Sequence, residues 1–278
     1  MRKYNLHMMM GILVIILITS IAMNKRIEFT IYACLGFVIM LGITFLNCRK
    51  LWNHPNVFAG IMGILLFVAI ILGICGIVEI IVISAAAICT IVMRKEWYKK
   101  NSITLVVMLG MLAAMNVLGV IILVSNHSKS INAFFTGSGE ASYIYDTIGM
   151  LLKGSNFWGR SVENSEIIFY LPRYTDACVI TNYIASYGWL PGMAVVVLLL
   201  CFLGKIIFDM RRIEGFSGII GMGCSTVLMI EMLVSVFENF LLMPFTVYKA
   251  FVPCYSGNIK NVLISYVLLG MVMHIYKR

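Results

Sequence analysis

The sequence predicts an all-α polytopic integral membrane protein with about eight transmembrane helices, one long extracytoplasmic loop and a re-entrant half-helix. Hydrophobic residues make up 61% of the 278 residues and charged residues only 12%, whereas soluble domains carry about 25% charged residues. A soluble domain of this length has too little interior to bury so much apolar surface, so lipid is the expected solvent. The net charge of +9 falls in short clusters beside apolar runs, which is typical of cytoplasmic loops rather than of a nucleic-acid groove.

Eight apolar stretches can cross the ~30 Å hydrocarbon core as helices. The third and fourth form an almost continuous block that Gly73 and Gly76 divide at a tight turn. One long helix there is the alternative, and it would reverse the membrane orientation of every later segment. Arg2 and Lys3 precede a first stretch without a small-residue cleavage site, which predicts an uncleaved helix rather than a signal peptide. The stretches are Met8–Met23, Phe29–Leu46, Val57–Ile74, Gly76–Met93, Ile103–Val124, Trp189–Phe208, Phe216–Phe237 and Asn258–Ile275.

Lys and Arg mark the cytoplasmic side of a membrane protein. With the N-terminus inside, thirteen of them lie in inner segments and four in short outer segments, so both termini are predicted to be cytoplasmic. The long loop, residues 125–187, is then outside. A single membrane domain, 1–278, is thus divided into five N-terminal spans (1–124), the loop, and three C-terminal spans (188–278). The inner residues are Arg2, Lys3, Arg49, Lys50, Arg94, Lys95, Lys99, Lys100, Lys205, Arg211, Arg212, Lys277 and Arg278, and the outer ones are Lys25, Arg26, Lys249 and Lys260.

The cysteines and histidines do not predict a metal site. The eight cysteines form no Cys-x-x-Cys pair, and most lie in apolar stretches as small core residues do. Pairing between Cys178 and Cys254, near the outer face, stays open. The four histidines are scattered over different segments. No basic face on a soluble element is present to receive phosphates, so we expect no nucleic-acid partner.

The outer loop carries the residues that point to chemistry. An amphipathic stretch, Tyr143–Leu152, is followed by Lys153 and Arg160 in a glycine-containing turn, and later by the run Leu171–Asp176. A carboxylate where a polar loop returns toward lipid is costly unless it has a function. Asp176 beside cations at the bilayer surface matches a site for a phosphate-linked lipid substrate. A solvated connector with an interfacial helix is the alternative.

An apolar segment, residues 177–187, follows Asp176. Gly188 and the Pro191-Gly192 pair break it before the next span begins. The segment is predicted to be a half-helix that re-enters the protein. Free backbone N–H groups at its N-terminus would favour an anion near Asp176.

Two sets of motifs resemble those of a known family. Leu171-Pro172 and Thr175-Asp176 stand between an amphipathic stretch and an apolar segment that ends at Gly188. Between the last two spans, on the outer side, stands Pro244-Phe245-Thr246, followed by Tyr255-Ser256-Gly257. In this order the motifs resemble those of the SEDS family (shape, elongation, division and sporulation), to which RodA and FtsW belong. The resemblance covers roughly residues 143–276.

The resemblance implies a glycosyltransferase that polymerises lipid II into peptidoglycan strands at the outer face of the bacterial cytoplasmic membrane, in cell division or cell-shape maintenance. Thr175-Asp176 matches the family's essential Thr-Asp pair, which implies that Asp176 is the general base for the acceptor hydroxyl. The polyprenyl diphosphate leaving group then needs Arg160 and Arg173, or a bound divalent cation. The implied partners are undecaprenyl-linked lipid II, a class B penicillin-binding protein (a transpeptidase) and membrane lipid. The implied substrate-binding residues are Lys153, Arg160, Arg173, Thr175, Pro244, Thr246, Tyr255 and Gly257.

The chain departs from the family pattern in ways that leave alternatives open. Two of the family's usual ten or so spans are missing from the first half, and Ala185-Ser186 or Ser186-Tyr187 replaces an acidic pair. A gapless alignment before Gly188 would place Ala177 on the catalytic position, whereas compensating one-residue shifts keep Thr175-Asp176 there. One alternative is a non-catalytic member that binds lipid-linked substrate or a division partner. Another is an unrelated transporter with Glu79 and Glu231 as intramembrane acids.

Overall fold

The computed structural model describes residues 2–23, 27–45, 81–88, 102–126, 128–138, 142–159, 178–244 and 259–277. These residues are mostly helical and include no strand, which confirms the all-α class for this part of the chain. Residues 81–88 are helical. The other helices are α1 (Arg2–Met23), α2 (Ile27–Phe45), α3 (Ser102–Asn126), α4 (Ser128–Thr136), α5 (Ser142–Lys153), α6 (Val179–Tyr187), α7 (Trp189–Arg211), α8 (Gly215–Asn239) and α9 (Ile259–Lys277).

Six of the predicted spans coincide with helices of the structure, namely α1, α2, α3, α7, α8 and α9. Val57–Ile74 lies outside the described residues, and Gly76–Met93 is described only at 81–88. Within the described ranges, α7 and the part of α8 from Ser217 onward are long and apolar enough to cross a bilayer, which weakly suggests association with a membrane. Shorter apolar stretches occur in α1, α2 and α3.

The core is built around α9, which packs on α2 and α8, with α1 against α2 and α9. Tyr266 is fully buried, and it lies so close to Gly36 that a Cβ there would overlap its ring. Further along, His274 Nδ1 lies 3.3 Å from the carbonyl oxygen of Thr44. Residue numbers rise together along the two helices, so α2 and α9 are parallel. Small residues at such contacts allow helix backbones to approach closely, as is common in membranes.

One end of the helices is rich in cations, and we call it the basic end. Lys205 forms an ion pair with Asp209 in α7 (2.6 Å), and Tyr276 of α9 donates its hydroxyl to the same carboxylate (2.9 Å). The ammonium group of Lys277 lies 4.2 Å from the ring centroid of Phe45, the last residue of α2. The C-terminal ends of α2, α7 and α9 therefore meet at the same end, which is the end predicted to be cytoplasmic.

Candidate functional site

The segment after α5 is hydrogen-bonded to the sharp elbow between α6 and α7. The backbone carbonyls of Asn156 and Phe157 accept the N–H groups of Trp189 and Leu190 (both 3.0 Å), and Gly159 donates to the carbonyl of Tyr187 (2.9 Å). The first N–H groups of a helix have no partner within it, so the loop satisfies two of them for α7. The elbow is therefore held by three backbone hydrogen bonds.

Gly188 is the residue at which the chain turns. Its φ is +97°, and a Cβ there would lie 2.9 Å from both the Phe157 carbonyl oxygen and the Trp158 Cα. Only glycine combines this backbone conformation with so close a neighbour. The predicted break at Gly188 is thus confirmed as the junction of α6 and α7.

The predicted break at Pro191-Gly192 is wrong. Pro191 is the third residue of α7, in the first turn, where a missing N–H costs nothing because no intrahelical acceptor is available there. The Gly192 N–H donates to the Gly188 carbonyl (3.2 Å) and continues the helix. Gly192 also lets α6 approach, since a Cβ there would lie 2.5 Å from the Ile184 side chain.

The N-terminus of α6 is capped by a residue of α8. Cys178, the N-cap, makes no side-chain cap hydrogen bond. Instead, Oδ1 of Asn239 accepts the backbone N–H of Thr181 (3.0 Å) and lies 3.0 Å from the Thr181 hydroxyl. The Asn239 amide nitrogen donates to the carbonyl of Ser235 (2.8 Å), which fixes its orientation. Both Thr181 and Asn239 are fully buried. The sequence predicts free backbone N–H groups at the start of this helix. The Thr181 N–H is bonded to Asn239, so it does not contribute to an anion site.

Buried polar residues gather along one face of α8 near this cap. Glu231, Ser235 and Glu238 are spaced four and three residues apart, which places them on the same side of a helix. All three are buried, and Glu238 has no exposed surface. Carboxylates are rarely buried in apolar helices without a function. We call Thr181, Ser235, Glu238 and Asn239 the polar cluster.

The Cys178 thiol lies beside the polar cluster and is buried. Burial, and then the negative charge of Glu238, raise the pKa of this thiol to about 12. Both causes disfavour the thiolate, which is the nucleophilic form. The neutral thiol of Cys178 is therefore favoured, and it packs in a buried cluster with Ile148, Leu151 and Ala185.

The chain leaves α8 in a conformation that is unusual for its sequence. Leu241 has φ +57°, and its N–H and that of Leu242 bond back to the carbonyls of Glu238 and Phe237. This is a Schellman motif, in which glycine is the usual left-handed residue. Leucine costs about 1–2 kcal/mol there, and burial offsets this, because its side chain packs on a cluster of Ile148, Leu151, Cys178 and Ala185.

An open cleft of about 590 Å³ lies between α4, α5 and Leu241. Its walls carry the aromatic rings of Phe134 and Tyr145 and the charged side chains of Asp146 and Lys153. The predicted amphipathic stretch Tyr143–Leu152 is confirmed as a helix, since α5 covers it and buries Ile148 and Leu151. Lys153 is exposed and makes no ion pair with the described residues. An exposed lysine at the wall of a cleft suits an anionic ligand.

The predicted site residues are only partly within the described ranges. Lys153 lines the cleft, and Pro244 follows three residues after Leu241, which lines the same cleft. The others, including Asp176, lie outside the described residues; they are Arg160, Arg173, Thr175, Asp176, Thr246, Tyr255 and Gly257. A scan against models of protein families finds no match, and a search of curated proteins finds no significant relative.

The sequence analysis did not predict the polar cluster. It named only Glu231, which lies nearby on α8, as an intramembrane acid of a transporter. The 231, 235, 238 spacing of polar residues in an apolar stretch was a usable signal for a buried polar face. No sequence signal pairs Thr181 with Asn239, because their contact spans 58 residues. Helix α4 was also not predicted, since its polar sequence resembles a loop.

Proposed function

We propose that the protein is a SEDS-type peptidoglycan glycosyltransferase, which polymerises lipid II at the outer face of the cytoplasmic membrane. The observation that carries the proposal is the hydrogen bonding of Thr181 to Asn239. Thr181 lies six residues after Thr175 and five after Asp176 of the first motif. Asn239 lies five residues before Pro244 of the second motif. The contact therefore joins the chain immediately after one motif to the chain immediately before the other.

Packing beside that contact supports a shared site. Cys178 and Leu241 belong to the same buried cluster. Cys178 stands two residues after Asp176 in the sequence, and its place in this cluster beside the end of α8 supports a shared site for the two motifs. Leu241 in turn fixes the direction in which the chain leaves toward Pro244. A catalytic carboxylate needs this kind of anchoring, because small displacements cost large factors in rate.

The charges of the predicted site residues suggest their roles in the reaction. Asp176 accepts the proton of the acceptor sugar hydroxyl as that oxygen attacks the anomeric carbon of the donor. Negative charge then develops on the diphosphate leaving group, which Arg160, Arg173 and Lys153 stabilise. The hydrogen bond from Gly159 to Tyr187 holds the residue before Arg160 at the elbow. Lys153 reaches the cleft from the end of α5.

The parallel arrangement of α2 and α9 supports the eight-span topology. Two parallel spans in a membrane are separated by an odd number of crossings. Counting Val57–Ile74 and Gly76–Met93 as two spans places five crossings between α2 and α9, whereas one long helix in their place would leave four. The outer loop then lies on the side opposite the basic end. This is the outer side of the membrane, where the proposed function places the polymerisation of lipid-linked sugars.

The test is polymerisation of lipid II by purified protein in detergent or vesicles, alone and with a class B penicillin-binding protein. Glycan strands should form from labelled lipid II. Gel electrophoresis resolves them, and a muramidase should digest them. Binding of lipid II without strands under both conditions would favour the non-catalytic member over the enzyme.

Transport is a second candidate, favoured by the burial of Glu231 and Glu238 in α8. Glu79, the other acid of that hypothesis, lies outside the described residues. The two functions differ in their need for Glu231, which the polymerase chemistry does not use. Glu231→Gln should leave polymerisation within about twofold of wild type if the fold is retained, whereas a transporter would lose solute uptake.

A further inference from the structure

At the basic end, the charge of Lys205 is already balanced by an acid. The Lys205 ammonium lies 2.8 Å and 2.6 Å from the two carboxylate oxygens of Asp209, and the Tyr276 hydroxyl donates to one of them (2.9 Å). Glu214, the next acid along the chain, is exposed and forms no ion pair with the described residues. The carboxylate of Asp209 is therefore occupied, and the neighbouring cations have no share in it.

Three exposed cations stand beside this ion pair, and none of them pairs with an acid of the described residues. They are Arg211 and Arg212 at the end of α7 and Lys277 at the end of α9. The hydrogen bond between Asp209 and Tyr276 joins the two helices at this level. Arg212 follows Asp209 by three residues, and Lys277 directly follows Tyr276. Unbalanced cations of both helices therefore lie close to a single interhelical contact.

Aromatic rings support two of these cations. The guanidinium group of Arg212 lies 4.2 Å from the ring centroid of Phe208, and the ammonium group of Lys277 lies 4.2 Å from that of Phe45. Both rings are themselves more than half exposed (53% and 66%). Each cation therefore presents its charge beside an exposed apolar ring, which is the combination that occurs at the level of lipid headgroups.

The orientation of a membrane protein depends on how many cations lie on each side, and it needs no particular position for any of them. At the basic end the positions are defined, because ring contacts and an interhelical hydrogen bond hold the cations near one another. A guanidinium group binds phosphate through two parallel hydrogen bonds. Basic pockets between transmembrane helices on the cytoplasmic side bind the headgroups of anionic lipids.

We infer that Arg212 and Lys277, with Arg211 beside them, form one binding site for the phosphate headgroup of an anionic phospholipid. The phosphate contacts α7 and α9 together, and the acyl chains lie beside Phe208 and Phe45. Bound in this way, the lipid anchors the ends of both helices at the membrane surface. The inference goes beyond the proposed function, since it involves neither a lipid-linked sugar nor turnover.

Photocrosslinking of purified protein in phosphatidylcholine vesicles tests the inference. The photoreactive p-benzoylphenylalanine replaces Phe208, and the vesicles contain a tracer of radiolabelled phosphatidylglycerol or radiolabelled phosphatidylcholine. The anionic tracer should crosslink at least fivefold more than the zwitterionic one. The same probe in place of Val197 is the matched control, because Val197 is equally exposed on α7 (52%) and lies roughly 16 Å further from the basic end. It should show no preference.

Single substitutions test whether one headgroup contacts both helices. Arg212→Gln and Lys277→Gln should each lower the preference at position 208 roughly fivefold, because each removes one cation from the headgroup. The effect of Lys277→Gln is the more telling, since this residue and the probe are on different helices. Lys129→Gln, at an exposed lysine of α4, should leave the preference unchanged. The unfolding midpoint in detergent should stay near wild type for all three variants.

Asp209→Asn should have the opposite effect. The asparagine oxygen still accepts the Tyr276 hydroxyl, so the contact between α7 and α9 is kept, but the charge of Lys205 is no longer balanced. The preference for phosphatidylglycerol at position 208 should therefore rise roughly fivefold. A preference that falls or stays unchanged would contradict the inferred role of charge.

Inorganic diphosphate distinguishes a lipid headgroup from a soluble phosphate. At millimolar concentration it should lower crosslinking of phosphatidylglycerol less than twofold, and loss of the preference would overturn the inference in favour of a soluble anion. Equal crosslinking of the two lipids at position 208, an equal preference at position 197, or equal effects of Lys129→Gln and Lys277→Gln would also overturn it. Strand formation enters none of these measurements, so failure of the proposed function would leave the inference intact.

Discussion

Asn239 caps helix α6 from another helix, because its side-chain oxygen accepts the backbone N–H of Thr181 at 3.0 Å. The N-cap residue of α6 itself, Cys178, makes no such bond. A helix of nine residues is too short to be stable alone, so its position depends on this contact and on its packing. The end of α8 therefore sets the position of α6.

Replacing Asn239 with alanine should destabilise the protein by about 1–3 kcal/mol, because the buried Thr181 N–H loses its acceptor. The readout is the midpoint of thermal unfolding in detergent, together with hydrogen exchange at the start of α6, which should become faster.

Asn182→Ala is the matched control for Asn239→Ala. The Asn182 side chain accepts a hydrogen bond from Ser186 within α6 (3.3 Å) and is only half-buried. Its removal should have a smaller effect on both readouts. Equal effects of the two substitutions would contradict a capping role for Asn239.

Gly188→Ala should destabilise the elbow by about 1–3 kcal/mol, since the φ of +97° is unfavourable for alanine and the new Cβ meets the Phe157 carbonyl oxygen. Gly110→Ala in α3 should have the opposite effect on stability. Nothing lies within 4 Å of a Cβ there, so alanine should stabilise that helix by roughly 0.5–1 kcal/mol. Thermal unfolding of both variants measures the difference, and a stabilised Gly188→Ala variant would disprove the described elbow.

The Cys178 thiol should be almost inert toward iodoacetamide near neutral pH. Its pKa rises from 9.0 to about 12, which leaves roughly a thousandfold less thiolate than an ordinary cysteine has. In a variant whose only cysteine is Cys178, the alkylation rate should still be increasing at pH 10. Glu238→Gln removes the neighbouring negative charge, lowers the pKa and should accelerate alkylation. A plateau below pH 9 would contradict the burial and charge assigned to this thiol.

A cysteine probe tests the sidedness of the outer loop. Ser138 is exposed at the end of α4, and in the proposed topology it faces outside. Ser138→Cys in a variant without other cysteines should react with a membrane-impermeant maleimide in intact cells. Reaction only after permeabilisation would reverse the topology.

Much of the fold was predictable from apolar length alone. The predicted span Trp189–Phe208 differs from α7 only at its C-terminal end, and the predicted stretch Tyr143–Leu152 differs from α5 by one residue at each end. Pro191 was misread because proline usually ends helices, although in a first turn it has no N–H to lose. Position in the helix, and not residue type, decided the outcome.

The site was less predictable, because its contacts join distant parts of the chain. Lys153 lines the cleft at the end of α5, and a cation after an amphipathic helix is visible in the sequence, but its role in substrate binding stays a prediction. The cap on Thr181 and the packing of Leu241 against Cys178 depend on how α6 meets α8. Periodicity describes one helix at a time, and it does not say which helix ends meet.

The most direct test of the proposed function is the rate of lipid II polymerisation by wild type and by Asp176→Asn. Asparagine keeps the size and hydrogen-bonding reach of the side chain but does not accept the proton. Loss of a general base costs about 10²–10⁴-fold, so strand formation should fall by that factor while unfolding temperature and lipid II binding stay near wild type. An Asp176→Asn variant that polymerises at the wild-type rate would contradict the proposed mechanism.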